Sequence, residues 1–257
     1  MSRFVNLEFG GHADEHNHPA TRTDDEASCV EEAHAAFRRG DFEPALRLYA
    51  RVLEFNPRNQ AAWSGQVRML IELSEYHEAK LWADKALEQF PRAPELLAAK
   101  AVVLARTGDC EAALAFSDAA VEEQGDTPYV WLARGDVLLA CKEKRAEYCF
   151  NRALGAAPRE WLWPWLASRI HYFYDRFAVA LKLISQALAL DASQGVIWLQ
   201  LGKCQLALGL ASAAQGSLEQ ARQLNPRGRE AAEQLQALGQ LGFSGRLLGW
   251  WRRLRAG

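Results

Sequence analysis

From about residue 26 onward, short apolar stretches alternate with Gly, Asp and Pro signals, a pattern that predicts a run of short helices. The stretches fall into register. One small-residue column reads Ala45, Ala79, Ala113, Ala146, Ala180 and Ala214, and a second reads Val52, Ala86, Ala120, Ala153, Ala187 and Ala221. A third, near the end of each period, reads Pro57, Pro91, Gly125, Pro158, Ala192 and Pro226, and in all three the steps are 34, 34, 33, 34 and 34. Each period holds two helices. Small residues let neighbouring helices approach closely, and proline ends the second helix because it cannot donate the next hydrogen bond. Gly40, Gly108 and Gly209 fall in the turn between the two helices, where positive φ costs glycine little. The column of the first helix (Ala33, Val67, Ala101, Gly135) steps by 34, so the missing residue lies between Gly135 and Ala146, in the turn of "LLACKEKRAEY".

This pattern resembles the tetratricopeptide repeat, a helix–turn–helix unit of about 34 residues carrying W-x₂-L-G followed by spaced Ala, Ala and Pro. The stretch "VIWLQLGKCQLALGLASAAQGSLEQARQLNPRG" carries it best, with Trp198, Leu201, Gly202, Gly209, Ala214, Ala221 and Pro226. The first repeat has Cys29 where Trp belongs, but "RRGDFEPALRLYARVLEFNPRN" restores its second helix. The resemblance implies an all-α fold, a right-handed α-solenoid of stacked repeats with a C-terminal capping helix. It divides the chain into a flexible polar tail, 1–25, and six repeats at 26–59, 60–93, 94–127, 128–160, 161–194 and 195–228. A capping helix at 229–240 and a basic, Trp-containing tail at 241–257 follow.

In this family the first helix of each repeat lines the concave side, through its second, fifth, ninth and twelfth positions. The aromatic stretch "WLWPWLASRIHYFYDRF", residues 161–177, is thereby sorted by register. Pro164 takes the place of Trp63 and Trp131; Leu162, Trp165, Arg169 and Tyr172 face the groove; Trp163, Ile170, Phe173 and Phe177 pack between helices. The same positions elsewhere bring in Arg68, Tyr129, Asp136 and Lys203. The candidate partner-binding set is therefore Arg68, Tyr129, Asp136, Trp165, Arg169, Tyr172 and Lys203. An apolar, aromatic groove with spaced cations suits an extended or helical peptide of acidic or aromatic character. The competing reading is that the cations only keep a concave surface soluble. Some relatives grip a terminal carboxylate with a Lys/Asn/Lys/Arg set; this chain lacks the asparagines, which argues against a chaperone-tail receptor.

Composition narrows the class further. With 257 residues, 49% hydrophobic and 24% charged, the chain is ordinary for a folded protein, and its net charge of −2 argues against a nucleic-acid binder. No G-x-x-x-x-G-K-[ST] loop, H-E-x-x-H helix or G-x-S-x-G elbow occurs, so no enzyme, cofactor or metal is expected. The five cysteines, Cys29, Cys110, Cys141, Cys149 and Cys204, show no C-x-x-C pair and read as reduced, mostly buried thiols of a cytoplasmic protein. No signal-peptide core is evident, nor a run of the ~18 apolar residues that a spanning helix needs.

The two ends differ in charge. Residues 1–25 carry a net −3, with His12, His16 and His18 in "HADEHNH", which lacks a scaffold to hold a metal. Residues 246–257 carry a net +4 with no acid. Within that tail, Trp250, Trp251, Arg252 and Arg253 are candidates for capping the last repeat, for docking on a partner, or for touching an anionic membrane surface. The leading function is a non-enzymatic scaffold or adaptor binding a protein or peptide; the alternative is a peripheral membrane adaptor anchored by the tail.

Overall fold

The computed structural model describes residues 19–239, with side chains from residue 26 onward. The described residues divide into two compact bodies, one ending at Ala157 and the other starting at Pro158. The N-terminal body holds α1 (Pro19–Arg38), α2 (Phe42–Phe55), α3 (Gln60–Glu72), α4 (Tyr76–Gln89), α5 (Pro94–Arg106), α6 (Cys110–Glu122), α7 (Pro128–Ala140) and α8 (Ala146–Ala156). The C-terminal body holds α9 (Leu162–Phe173), α10 (Phe177–Leu190), α11 (Gly195–Ala207) and α12 (Ala211–Leu224), then a helical stretch over 229–239. No strand occurs among the described residues, and the fold is an all-α helical repeat of the α-solenoid class. The first helix starts at Pro19, inside the segment expected as a flexible tail; proline's fixed φ suits a first helical turn.

The small-residue columns are core. Ala45, Ala79, Ala113, Ala180 and Ala214 are fully buried, as are Val52, Ala86, Ala153 and Ala187. Glycine in the first helix allows close approaches: a Cβ on Gly65 would stand 2.6 Å from Cε1 of Tyr49, one on Gly202 2.7 Å from Cγ of Leu218, and one on Gly135 2.8 Å from Cζ of Phe150. Helix starts are capped locally, the side chains of Asn59, Asp109 and Thr127 accepting from the amides of Ala62, Ala112 and Val130.

Six turns share one hydrogen bond. The amides of Asp41, Glu75, Asp109, Glu143, Arg176 and Leu210 donate to the carbonyls of Ala36, Leu70, Leu104, Leu138, His171 and Gln205, each five residues back. This 6→1 closure needs a left-handed residue just before the donor. Gly40, Gly108 and Gly209 supply it at φ 76, 95 and 76°, and Ser74, Lys142 and Asp175 do so at 62, 59 and 56°. Since the short step falls after Glu143, the residue is lost from Lys144–Arg145. The other second helices begin three residues before their column alanine; α8 begins at Ala146 itself and runs 11 residues against 13 or 14. A turn of helix has been given up so that the columns stay aligned.

The side chains also join successive repeats. Nε1 of Trp63 donates to the Pro57 carbonyl (2.9 Å) and that of Trp198 to the Ala192 carbonyl (2.8 Å), tying the start of one repeat to the end of the last. Lys100 pairs with Asp84 (2.7 Å) and Arg134 with Asp118 (2.6 Å), each bridging a second helix to the next first helix over 16 residues. At the equivalent pair the residues are Gln66 and Ala50. Gln66 is fully buried, and neither atom of its amide has a hydrogen-bond partner. In the C-terminal body, Lys203 Nζ reaches Glu230 Oε1 at 2.6 Å and Ala231 is buried, so the 229–239 stretch packs on the repeat before it.

The cysteines correct the sequence reading. Cys29, Cys149 and Cys204 are buried and form no disulfide, but Cys110 and Cys141 are disulfide-bonded, with Cα atoms 5.6 Å apart. A separation of 31 residues looks unpromising along the chain, yet in a 34-residue repeat it brings neighbouring turns together.

Candidate partner-binding site

In the N-terminal body the expected residues come together around Arg68. Its guanidinium carbon lies 3.9 Å from the centroid of the Tyr129 ring and 5.2 Å from that of Phe37, so α3 presents a cation to rings on α7 and α1. Burial pushes the Tyr129 hydroxyl above its ordinary range, against the opposing effect of Arg68. Tyr49 is pushed up to about 12 for the same reason. His34, with its ring 6.0 Å from that of Tyr49, is lowered by burial and then by the Arg68 charge.

Asp136 departs from its expected role. It is 2% exposed and accepts from Arg106 Nη2 at 2.6 Å, with a second contact from Nε at 3.5 Å. Burial opposes the Arg106 charge, but Asp136 outweighs it, with Glu72 adding to the same effect, and Arg106 is held above its usual range. The physical reason is packing: α7 lies against α5, and a position read as groove-facing is enclosed between them. Asp136 is thus buried in an ion pair with Arg106.

The C-terminal body holds the other expected residues. Trp165 is 1% exposed, with its ring 5.9 Å from Trp161 in an edge-on arrangement, so the expectation that it faces the groove is corrected. Helix α9 packs on both α10 and α11, and a ring of this size is consumed by that packing. Arg169 lies over the buried ring at 5.4 Å. Tyr172 is half-buried, 5.2 Å from Phe177, with Lys203 Nζ 5.6 Å away; burial is the main cause raising its hydroxyl. Phe173, expected in the interhelix core, is 45% exposed, because it is the last residue of α9 and turns out at the helix end. Trp250, Trp251, Arg252 and Arg253 lie outside the described residues, as do His12, His16 and His18.

One cluster went unread in the sequence. Asp126 Oδ1 accepts from Trp131 Nε1 and Arg152 Nη2, both at 2.7 Å, while the Arg152 guanidinium lies 4.8 Å over the Trp131 ring. Tyr148, 58% exposed, stands edge-on to Trp131. A recess of about 420 Å³ lies beside them, lined by Asp126, Tyr148, Asn151, Arg152, Gly155 and Ala156. The i,i+4 spacing of Tyr148 and Arg152 was the available signal. Among the described residues, no group of three His, Cys, Asp or Glu is placed to hold a metal, and no helix is long and apolar enough to cross a membrane.

Paired helices with buried alanine columns, repeated 6→1 turns and tryptophans that tie two of the repeats to the one before define a helical-repeat protein. The chain carries tetratricopeptide repeats: the model of that repeat matches residues 30–94 and 66–128. A curated relative, the BBSome complex member BBS4 of Bos taurus, is 22% identical over 188 residues, covering 73% of this chain. The chain matches only 36% of that relative's length. Among solved structures, the type IV pilus biogenesis factor PilW is 20% identical, with a TM-score of 0.49, over 82% of this chain and 98% of that one. YrrB, a tetratricopeptide-repeat protein with an unusual peptide-binding site, is 16% identical, with a TM-score of 0.42, over 72% and 96% of the two chains.

Proposed function

We propose that this protein is a non-enzymatic scaffold or adaptor that holds a partner protein or peptide against the first helices of its repeats. Tetratricopeptide repeats generally serve protein–protein interaction. The observation that carries the reading is the Arg68 cluster, where one half-buried cation and two rings come from α1, α3 and α7. A guanidinium stacked on aromatic faces is pre-organised and keeps its remaining donors for a ligand. Such a surface suits a peptide that brings an acidic group and an apolar side chain together. Arg169, Tyr172 and Lys203 form a second contact group in the C-terminal body under the same proposal. The repeat boundaries are those drawn from the sequence.

The test is affinity capture from the native host, followed by binding measurements with the partner so identified. Arg68→Ala and Tyr129→Ala are each expected to weaken binding by about tenfold or more, the effect of losing a hot-spot side chain, with helix content unchanged. Wild-type affinity in both variants would move the binding surface elsewhere. Cytoplasmic residence belongs to the same proposal; trapping thiols in native cells tests it, since a reducing compartment keeps the Cys110–Cys141 pair open.

A further inference from the structure

We propose that Cys110 and Cys141 form a reversible thiol–disulfide site, exchanging with a small thiol of the glutathione class, whose oxidation staples two adjacent repeat turns together. The bond joins the first residue of α6 to the residue that ends α7. In register, the same 31-residue separation pairs Phe42 with Leu73, Tyr76 with Thr107 and Phe177 with Leu208. Where other junctions pair larger side chains, this one pairs two small sulfur residues. Its cohesion therefore depends on whether the covalent bond is present.

Three observations favour exchange over a permanent cross-link. Both cysteines are half-buried and reachable, whereas Cys29, Cys149 and Cys204 are buried. When open, Cys110 stands at the N-terminal end of α6, where the helix dipole favours a thiolate, so it is the better leaving and attacking sulfur of the pair, while Cys141 sits at the C-terminal end of α7. The turn after Cys141 is also the one that has lost a residue, and α8 starts a turn late there, so the bond closes the junction least supported by helix.

The exchange is a two-electron step. A glutathione thiolate attacks one sulfur, breaking the protein S–S bond, forming a mixed disulfide and releasing the other cysteine as a thiolate. A second glutathione thiolate attacks the mixed disulfide, frees the remaining cysteine and leaves as glutathione disulfide. The two glutathione thiols supply the two electrons, and their protons end on the protein thiols.

The experiment equilibrates the full-length protein in mixtures of glutathione and glutathione disulfide, quenches by alkylation and maps the peptides by mass. The linked Cys110–Cys141 peptide is expected to appear and disappear reversibly with the ratio, while the three buried cysteines stay unlabelled in the folded protein. Amide exchange in α6 and α7 is expected to be slower in the oxidised form by roughly 30- to 1,000-fold, the range that closing such a loop implies. Cys110→Ser should show the faster exchange at every ratio. A peptide that never links, one that stays linked throughout, or equal exchange in both forms would each overturn the proposal.

Discussion

Arg106 and Asp136 form a two-point ion pair that is nearly sealed from water, Arg106 Nη2 standing 2.6 Å from Asp136 Oδ2 between α5 and α7. Removing one member leaves a desolvated charge without its closest counter-charge, which costs about 3–5 kcal/mol, whereas replacing both with apolar residues of similar size costs far less. Asp136→Ala is therefore expected to lower stability much more than the double variant Arg106→Met with Asp136→Leu. Chemical denaturation of the two proteins, followed by circular dichroism, checks the order.

Gln66 gives a prediction of opposite sign. Its amide is buried without a partner, beside the position where later repeats supply Asp84 or Asp118. An unmet buried amide costs about 1–3 kcal/mol. Gln66→Met, nearly matched in volume, should raise the denaturation midpoint. A lower midpoint would mean that the amide is satisfied in solution.

His34 makes stability depend on pH. Its folded value lies below 6.5 through burial and the Arg68 charge, so the unfolded chain takes up the proton first. The depressed base contributes no penalty well above pH 6.5, and stability falls as pH drops through and below that value. His34→Gln should flatten this part of the profile between about pH 7.5 and pH 5.5. An NMR titration placing the His34 midpoint above 6.5 would reverse the sign.

The C-terminal tail is separable by salt. If Trp250 and Trp251 dock on the last helices, deleting residues 241–257 should lower thermal stability, and a soluble quencher should miss both indoles at any ionic strength. If the tail serves an acidic partner or lipid surface, deletion should leave stability intact and abolish co-sedimentation with anionic vesicles or capture of the partner, in a salt-sensitive way. Deletion without effect on stability or association would remove the tail from the functional reading.

The repeat was legible because its columns answer to packing. Ala45, Ala79, Ala113, Ala180 and Ala214 recur at fixed spacing since only a small side chain fits there, and each is fully buried. The candidate site was less legible, because one helical position faces a groove or a neighbouring helix according to how closely helices stack. Asp136 and Trp165 were read from register as exposed and are enclosed; Arg68 and Tyr129 came from the same register and meet at 3.9 Å. The Cys110–Cys141 bond does not show in spacing along the chain, because the two residues become neighbours only modulo the repeat. The Trp131–Tyr148–Arg152 cluster depends on Asp126, a loop residue outside every column.

The late start of α8 has a practical corollary. Between Glu143 and Ala146 the chain has absorbed a change in length while the columns on both sides stayed whole. In a polymer built from neighbour-to-neighbour contacts, such a place is a fault line where a lattice mismatch is taken up locally. Engineers seeking to splice in an epitope or a sensor domain would choose Lys144–Arg145, where nature has already edited the spacing.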